Sequence, residues 1–125
     1  MSFKPVEALR FAQAWVAAWN SRDAARIIEK YAPSIEYHSP LVPLLTDNGN
    51  KGLCGHEQFD AYVRALLVRH TGQIRYRLRH VFVGSNSLVI EYHGLNDRLW
   101  AETLVLDPDW KITHSYSHNR PRDSD

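Results

Sequence analysis

The sequence predicts an α+β domain, with three helices from the N-terminal half packed on a curved, mainly antiparallel sheet. Three observations carry this. Helical stripes of apolar residues run over Pro5–Asn20 and Gly55–His70. The stretch Gln73–His118 reads as strands Gln73–Val83, Leu88–Leu95, Arg98–Leu106 and Trp110–His118, joined by turns short enough only for antiparallel neighbours. In the first of these strands Arg75, Arg77 and Arg79 alternate with Tyr76, Leu78, His80 and Phe82, so the second set must meet the helices.

In chain order, Pro5 suits the first turn of the first helix and Glu7 its positive dipole end. Val6, Leu9, Gln13 and Val16 form one stripe on it, and Phe11, Trp15 and Trp19 another. Ser21 or Asp23 caps a short helix over Arg22–Tyr31, which Ala32-Pro33-Ser34 ends. Ile35–Ser39 is a short strand stopped by Pro40. Leu41–Cys54 reads as a loop with apolar residues at its start, as a segment covering a pocket would have. Phe59, Tyr62, Val63, Leu66 and Leu67 form the apolar face of the third helix, and Gly72 ends it.

Composition narrows the function. With 125 residues, one domain spanning 1–125 with one core is expected. A net charge of +1 gives no case for a nucleic-acid partner. The arginine ladder has no interleaved aromatics on its own face and reads as solvated or dimer-facing surface. No apolar run is long enough to span a bilayer, and no basic segment leads into an apolar core at the N-terminus. Cys54 is the single cysteine, which excludes an intramolecular disulfide. A cytoplasmic location with no membrane partner follows as the expectation.

Turn arithmetic then places polar groups on the covered face. A symmetric turn over Gly84–Ser87 sets His80 opposite Glu91. A two-residue Asn96-Asp97 turn sets Glu91 opposite Glu102 and His93 opposite Trp100. The last turn sets Glu102 against Ser115 and Trp100 against Ser117. Carboxylates in a covered face must be mutually bonded, wet or functional, so a concave cavity is expected there. His80, Glu91 and Glu102 are the candidate catalytic residues, since close carboxylates raise one another's proton affinity and a histidine can relay the proton. The blander alternative is a hydrogen-bond network that orders the sheet. Trp15, Trp19, Tyr31, Tyr37, Ser39, Tyr62, Trp100, Ser115, Ser117 and Asn119 are the candidate binding residues. His38, His114 and His118 map to the opposite face. No metal site is expected from them, since ligands need tight convergence, and no cofactor is expected.

The element order and several motifs resemble the SnoaL-like branch of the nuclear transport factor 2 superfamily. They are Trp19-Asn-Ser-Arg-Asp23, Tyr31-Ala-Pro-Ser-Ile-Glu-Tyr-His-Ser-Pro40, Gly55-His-Glu-Gln-Phe59 and Ile90-Glu-Tyr-His-Gly94 with Ala101-Glu102. The likeness spans about Val6 to Asn119. It implies a cone-shaped, barrel-like fold with a deep pocket, in a superfamily that includes ketosteroid isomerases, polyketide cyclases and limonene-epoxide hydrolases. Ser39 stands where the isomerases carry their catalytic Asp, and Trp15 where they carry an oxyanion-hole tyrosine. Glu102 keeps a carboxyl at the position of their protonated Asp. The resemblance therefore implies acid/base chemistry on a hydrophobic or polycyclic metabolite, as an isomerase, cyclase or hydrolase, and argues against classical ketosteroid isomerisation. The alternatives are a ligand-binding module without catalysis and a dimeric protein-association module. A homodimer is expected through the convex sheet face with Ile90, Tyr92, Thr103, Val105 and Tyr116, that face being too apolar for a free sheet.

Overall fold

The computed structural model describes residues 3–122. Helix α1 (Pro5–Asn20) begins with Pro5 in its first turn, and Glu7 accepts a hydrogen bond from the Lys4 backbone N–H at 3.2 Å. Its buried stripe is Ala8, Ala12, Trp15, Val16, Ala18 and Trp19, whereas Val6 and Leu9 are exposed. The small alanines let the helix sit close to its neighbours, and the tryptophans reach inward past them. Asp23 caps α2 (Ala24–Ile28), accepting from the N–H groups of Ala25 and Arg26. This helix is shorter than the sequence reading at both ends.

Strand β1 (Tyr31–His38) starts four residues earlier than expected and runs through Pro33. It pairs in parallel with the last strand, and the register shifts between Tyr31 and Glu36, where Pro33 has no N–H to give. The segment beyond it is not a plain loop. It holds α3 (Val42–Leu45), a 3₁₀ turn over Gly49–Lys51 and the short strand β2 (Leu53–Cys54). Helix α4 (Gly55–His70) buries Phe59, Tyr62, Val63 and Leu66. Then come β3 (Arg77–Val83), β4 (Ser87–His93), β5 (Leu99–Leu106) and β6 (Ile112–Asn119).

The six strands form one curved sheet in the order β2-β1-β6-β5-β4-β3. Helices cover its inner face, so the domain is the expected α+β architecture. On β4 and β5 burial alternates cleanly: Leu88, Ile90, Tyr92, Trp100, Glu102, Leu104 and Leu106 point inward. No helix among the described residues is long and apolar enough to cross a membrane.

Two registers depart from the sequence reading. His80 does lie opposite Glu91, but β3 carries a bulge between Leu78 and His80. Arg79 is the extra residue, so both Arg79 and His80 face out while Tyr76, Leu78 and Val81 turn inward. The β4–β5 connection is a 3₁₀ turn over Leu95–Asp97 rather than a two-residue turn, with Asn96 and Asp97 at φ of 61° and 55°. It pairs Ile90, not Glu91, with Glu102, and Tyr92, not His93, with Trp100. A one-residue slip exchanges the two faces of a strand, so Glu91 lies outside. In the β5–β6 pair Glu102 meets Ser117 and Trp100 meets Asn119, two residues from expectation. A slip of two keeps the face.

Candidate functional site

Glu102 is the centre of the inner face. β5 delivers it between Trp100 and Leu104, and it is only 3% exposed. Tyr92 Oη donates to its Oε1 at 2.7 Å. Ser117 Oγ donates to its Oε2 at 2.6 Å, and Ser115 Oγ is at the edge of hydrogen-bonding range at 3.5 Å. The donors sit on the strands flanking β5, which the alternation of β4 and β6 turns toward the same spot. Burial pushes the Glu102 carboxyl up from its ordinary value to about 7, and the hydroxyls of Ser117, Tyr92 and Ser115 restrain that rise. A carboxyl so placed exchanges its proton near neutral pH. When ionised it accepts from the hydroxyls; when protonated it becomes a donor.

The wall around it is aromatic. Trp15 and Trp19 direct their indole N–H groups to Tyr31 Oη at 3.1 and 3.3 Å, which holds both rings in place. Trp100 Nε1 donates to the Leu95 carbonyl at 3.0 Å. Gly94 permits this corner, since a Cβ there would stand 2.7 Å from the Tyr92 ring and 3.0 Å from that of Trp100. Burial raises the Tyr92, Tyr76 and Tyr37 hydroxyls well above their ordinary range, and raises Tyr62 to about 12. Glu102 is therefore the one lining group poised to titrate near neutrality.

These residues enclose a cavity. Trp15, Trp19, Tyr37, Ser39, Tyr62, Trp100, Ser117 and Glu102 line it, as the sequence indicated, with Tyr76, Tyr92, Leu41, Leu66 and Leu95. The cavity is narrow, with room for about one water molecule. Leu41 and Leu95, from the segments after β1 and β4, are buried in its lining. Ser39 and Ser117 also line a surface cleft beneath the Pro40–Gly52 segment, where His38, Tyr116 and His118 lie. The cavity therefore admits nothing larger without movement of its lining side chains.

The catalytic trio read from the sequence does not converge. Glu91 and His80 are on the outer face, 3.9 Å apart, with Arg79 also 3.9 Å from Glu91. The bulge and the longer turn are the reasons. Tyr31 stands behind Trp15 and Trp19 rather than lining the cavity, and Ser115 reaches it only through Glu102. Asn119 borders a shallow outer hollow with Glu91 and Leu99. Ile90 and Tyr92, expected on the convex face, are buried inside. Thr103, Val105 and Tyr116 do lie outside. His114 pairs with Glu36 at 2.8 Å, and His38 stacks on Tyr116 at 5.1 Å, all on that outer face. No group of metal-ligand side chains converges among the described residues. Tyr92 is the main lining residue that sequence reasoning missed. Its signal was the alternation Leu88, Ile90, Tyr92, which the assumed turn length overrode.

The model of the SnoaL-like domain family matches residues 12–117, and the chain belongs to that family. A SnoaL-like protein of unknown function from Burkholderia thailandensis is similar over 97% of this chain and 100% of its own, with 26% identity and a TM-score of 0.89. A SnoaL-like family protein from Agrobacterium tumefaciens, described as a candidate isomerase, has 18% identity and a TM-score of 0.68, covering 91% of this chain and 97% of its own. TerC, crystallised with polyporic acid, has 15% identity and a TM-score of 0.71, covering 90% of this chain and 91% of its own. No curated protein sequence matches.

Proposed function

We propose that this SnoaL-like domain is an acid/base catalyst acting on a small hydrophobic metabolite, with Glu102 as its proton-handling group. The observation that carries this is one carboxyl, buried among aromatic rings, bonded to three hydroxyls and held near neutrality in proton affinity. A general acid or base is most effective when its pKa lies near the working pH. Ser39, Trp15 and Glu102 line one cavity. The isomerase comparison thus maps onto a single site, with the base position held by a serine. The work falls to Glu102 alone, in an isomerase, cyclase or hydrolase reaction. TerC, which shares the fold, was crystallised with polyporic acid, in keeping with a small-molecule ligand here.

The test is deuterium exchange. Cyclic ketones and polyketide-like diketones are incubated with protein in D₂O, and exchange beside the carbonyl is followed by NMR. Glu102→Gln should lower the protein-dependent rate by roughly 10²-fold or more. Exchange undiminished in Glu102→Gln would refute the assignment.

The narrow cavity favours a second reading, a dimeric association module. The outer sheet face offers half-exposed Val89, Leu99, Ala101, Thr103 and Val105, beside Phe82 at 55% and Tyr116 at 37% exposure. We propose a homodimer through this face under either reading. Light scattering should give a dimer for the native chain and a monomer for Thr103→Arg; a native monomer at micromolar concentration would refute it. The single free thiol of Cys54 suits a cytoplasmic setting.

A further inference from the structure

We infer that the cavity over Glu102 is a site for a cationic nitrogen, a quaternary ammonium or protonated amine carried on a small apolar body. This deepens the reading of Glu102 as the functional centre and rests on it. The argument begins with which hydrogen bonds the lining leaves open. All three lining indole N–H groups are committed to protein oxygens, Trp15 and Trp19 to Tyr31 and Trp100 to Leu95. The Tyr92 and Ser117 hydroxyls already donate to Glu102. No Lys, Arg or His lines the cavity. An anionic ligand would therefore meet no cation and no free N–H, only neutral hydroxyls beside a carboxyl that repels it when ionised. The remaining polar groups are hydroxyls, which accept as well as donate, and Tyr62 is already hydrogen-bonded to Ser39 and Tyr37.

The formal charge the cavity can carry is negative and belongs to Glu102. Indole and phenol rings from α1, β1, α4, β4 and β5 enclose it. Ring faces attract cations, indole most strongly, and desolvation strengthens the attraction. A buried carboxylate inside an aromatic shell is thus matched by a bulky, weakly hydrated cation rather than by a small, strongly hydrated one. The lining side chains must move to admit it, since the cavity has room for about one water. The titratable groups facing Glu102 are Tyr31 and Tyr37 of β1, Tyr62 of α4, Tyr76 before β3 and Tyr92 of β4. Burial raises all of these tyrosines. α1 and β6 contribute only indoles and serine hydroxyls. Between pH 5 and 9 the charge state of the lining is that of Glu102, and binding of a permanent cation should strengthen as Glu102 ionises.

Three probes of similar size separate the possibilities: benzyltrimethylammonium, benzyl alcohol and benzoate, titrated at pH 8. Calorimetry gives affinity, and the indole N–H signals of Trp15, Trp19 and Trp100 report the site, with Trp110 as a reference outside it. Benzyltrimethylammonium should bind at least tenfold more tightly than benzyl alcohol, and benzoate more weakly than either. Its affinity should fall about fivefold between pH 7 and pH 6. Glu102→Gln should abolish the preference for the cation while leaving benzyl alcohol within about twofold. Ser117→Ala keeps the carboxyl but removes a bond to its ionised form, so cation binding should weaken at pH 7 and recover at pH 9. Benzyl alcohol or benzoate binding as tightly as the ammonium ion would overturn the cation assignment and leave a ligand site at Glu102. An unchanged preference in Glu102→Gln would overturn it too. No response of the three indoles to any probe would overturn both this assignment and the catalytic reading.

Discussion

Glu91 and Glu102 stand on neighbouring strands, eleven residues apart in the sequence, and the sheet separates them completely. Glu102 faces the helices, is 3% exposed and receives hydroxyl hydrogen bonds from β4 and β6. Glu91 faces away, has a side chain 25% exposed, and touches Arg79 and His80 only at 3.9 Å. One carboxyl has been taken from water and paired with neutral donors; the other keeps much of its water and two basic neighbours. Desolvation raises the proton affinity of the first. The side of the sheet, not the residue type or the neighbouring sequence, decides which glutamate can do chemistry near neutral pH.

The largest expected effect tests that contrast through pH. The Glu102 carboxyl has an ordinary value of 4.5 and is raised to about 7 in the fold. Between those values the folded protein binds more protons than the unfolded chain, so stability falls as pH rises through the window. The loss amounts to as much as about 3 kcal/mol above pH 7, at roughly 1.4 kcal/mol per unit of pKa. Glu102→Gln removes this dependence. Measured by urea denaturation, the stability of Glu102→Gln relative to the native chain should improve by about 3 kcal/mol from pH 4.5 to pH 8. Glu91→Gln should show no such trend. A flat difference for Glu102→Gln would erase the contrast.

The next effect sharpens the description of the Glu102 pocket. Ser117 donates at 2.6 Å and does most among the hydroxyls to restrain the carboxyl's proton affinity. Ser117→Ala should therefore raise the Glu102 midpoint by about one unit, equivalent to roughly 1.4 kcal/mol, read by carboxyl ¹³C NMR. Tyr92→Phe should raise it by less. A midpoint that drops in either variant would mean that the hydroxyls favour the protonated form.

The inner glutamate was legible in the sequence, and the outer one was misassigned. The bounds of α1 and α4 were legible because Pro5, the apolar stripes and the Gly55 opening agree with one another. The inward side of Glu102 was also legible, because β5 alternates without interruption from Trp100 to Leu106, whereas Trp15 and Ser39 were legible as pocket residues only through the family resemblance. What was hidden is non-local. A bulge at Arg79 leaves no mark in an alternating string, because an arginine is at home on the outside either way. Asn96 and Asp97 look like a two-residue turn, and only the three-dimensional path shows Leu95 joining them and burying its side chain in the cavity lining. The narrowness of the cavity is likewise a packing result that no pattern of residues displays.

That bulge gives a smaller prediction. Leu78 pairs with Tyr92 and His80 with Glu91, so Arg79 is the residue without an opposite number. Deleting it should leave Leu78 facing in and His80 facing out, since both neighbours already match their partners. The cost should be about 1 kcal/mol, from the lost local twist, read by urea denaturation with an unchanged pattern of indole signals. A loss above about 3 kcal/mol would show that the bulge sets the curvature of the inner face. The cavity around Glu102 would then depend on the outer side.

The smallest effect falls on Glu91 itself. Its contacts with Arg79 and His80 are long and partly solvated, the geometry in which ion pairs contribute least. Glu91→Ala should change stability by less than about 0.5 kcal/mol and leave the Glu102 midpoint where it is. Denaturation and the same ¹³C signal check the two halves of that claim. A shift of the Glu102 midpoint in Glu91→Ala would mean that the two carboxyls sense one another through the sheet. The outer cluster of His80, Arg79 and Glu91 would then belong to the electrostatics of the site, and the separation of the two faces would be a matter of degree.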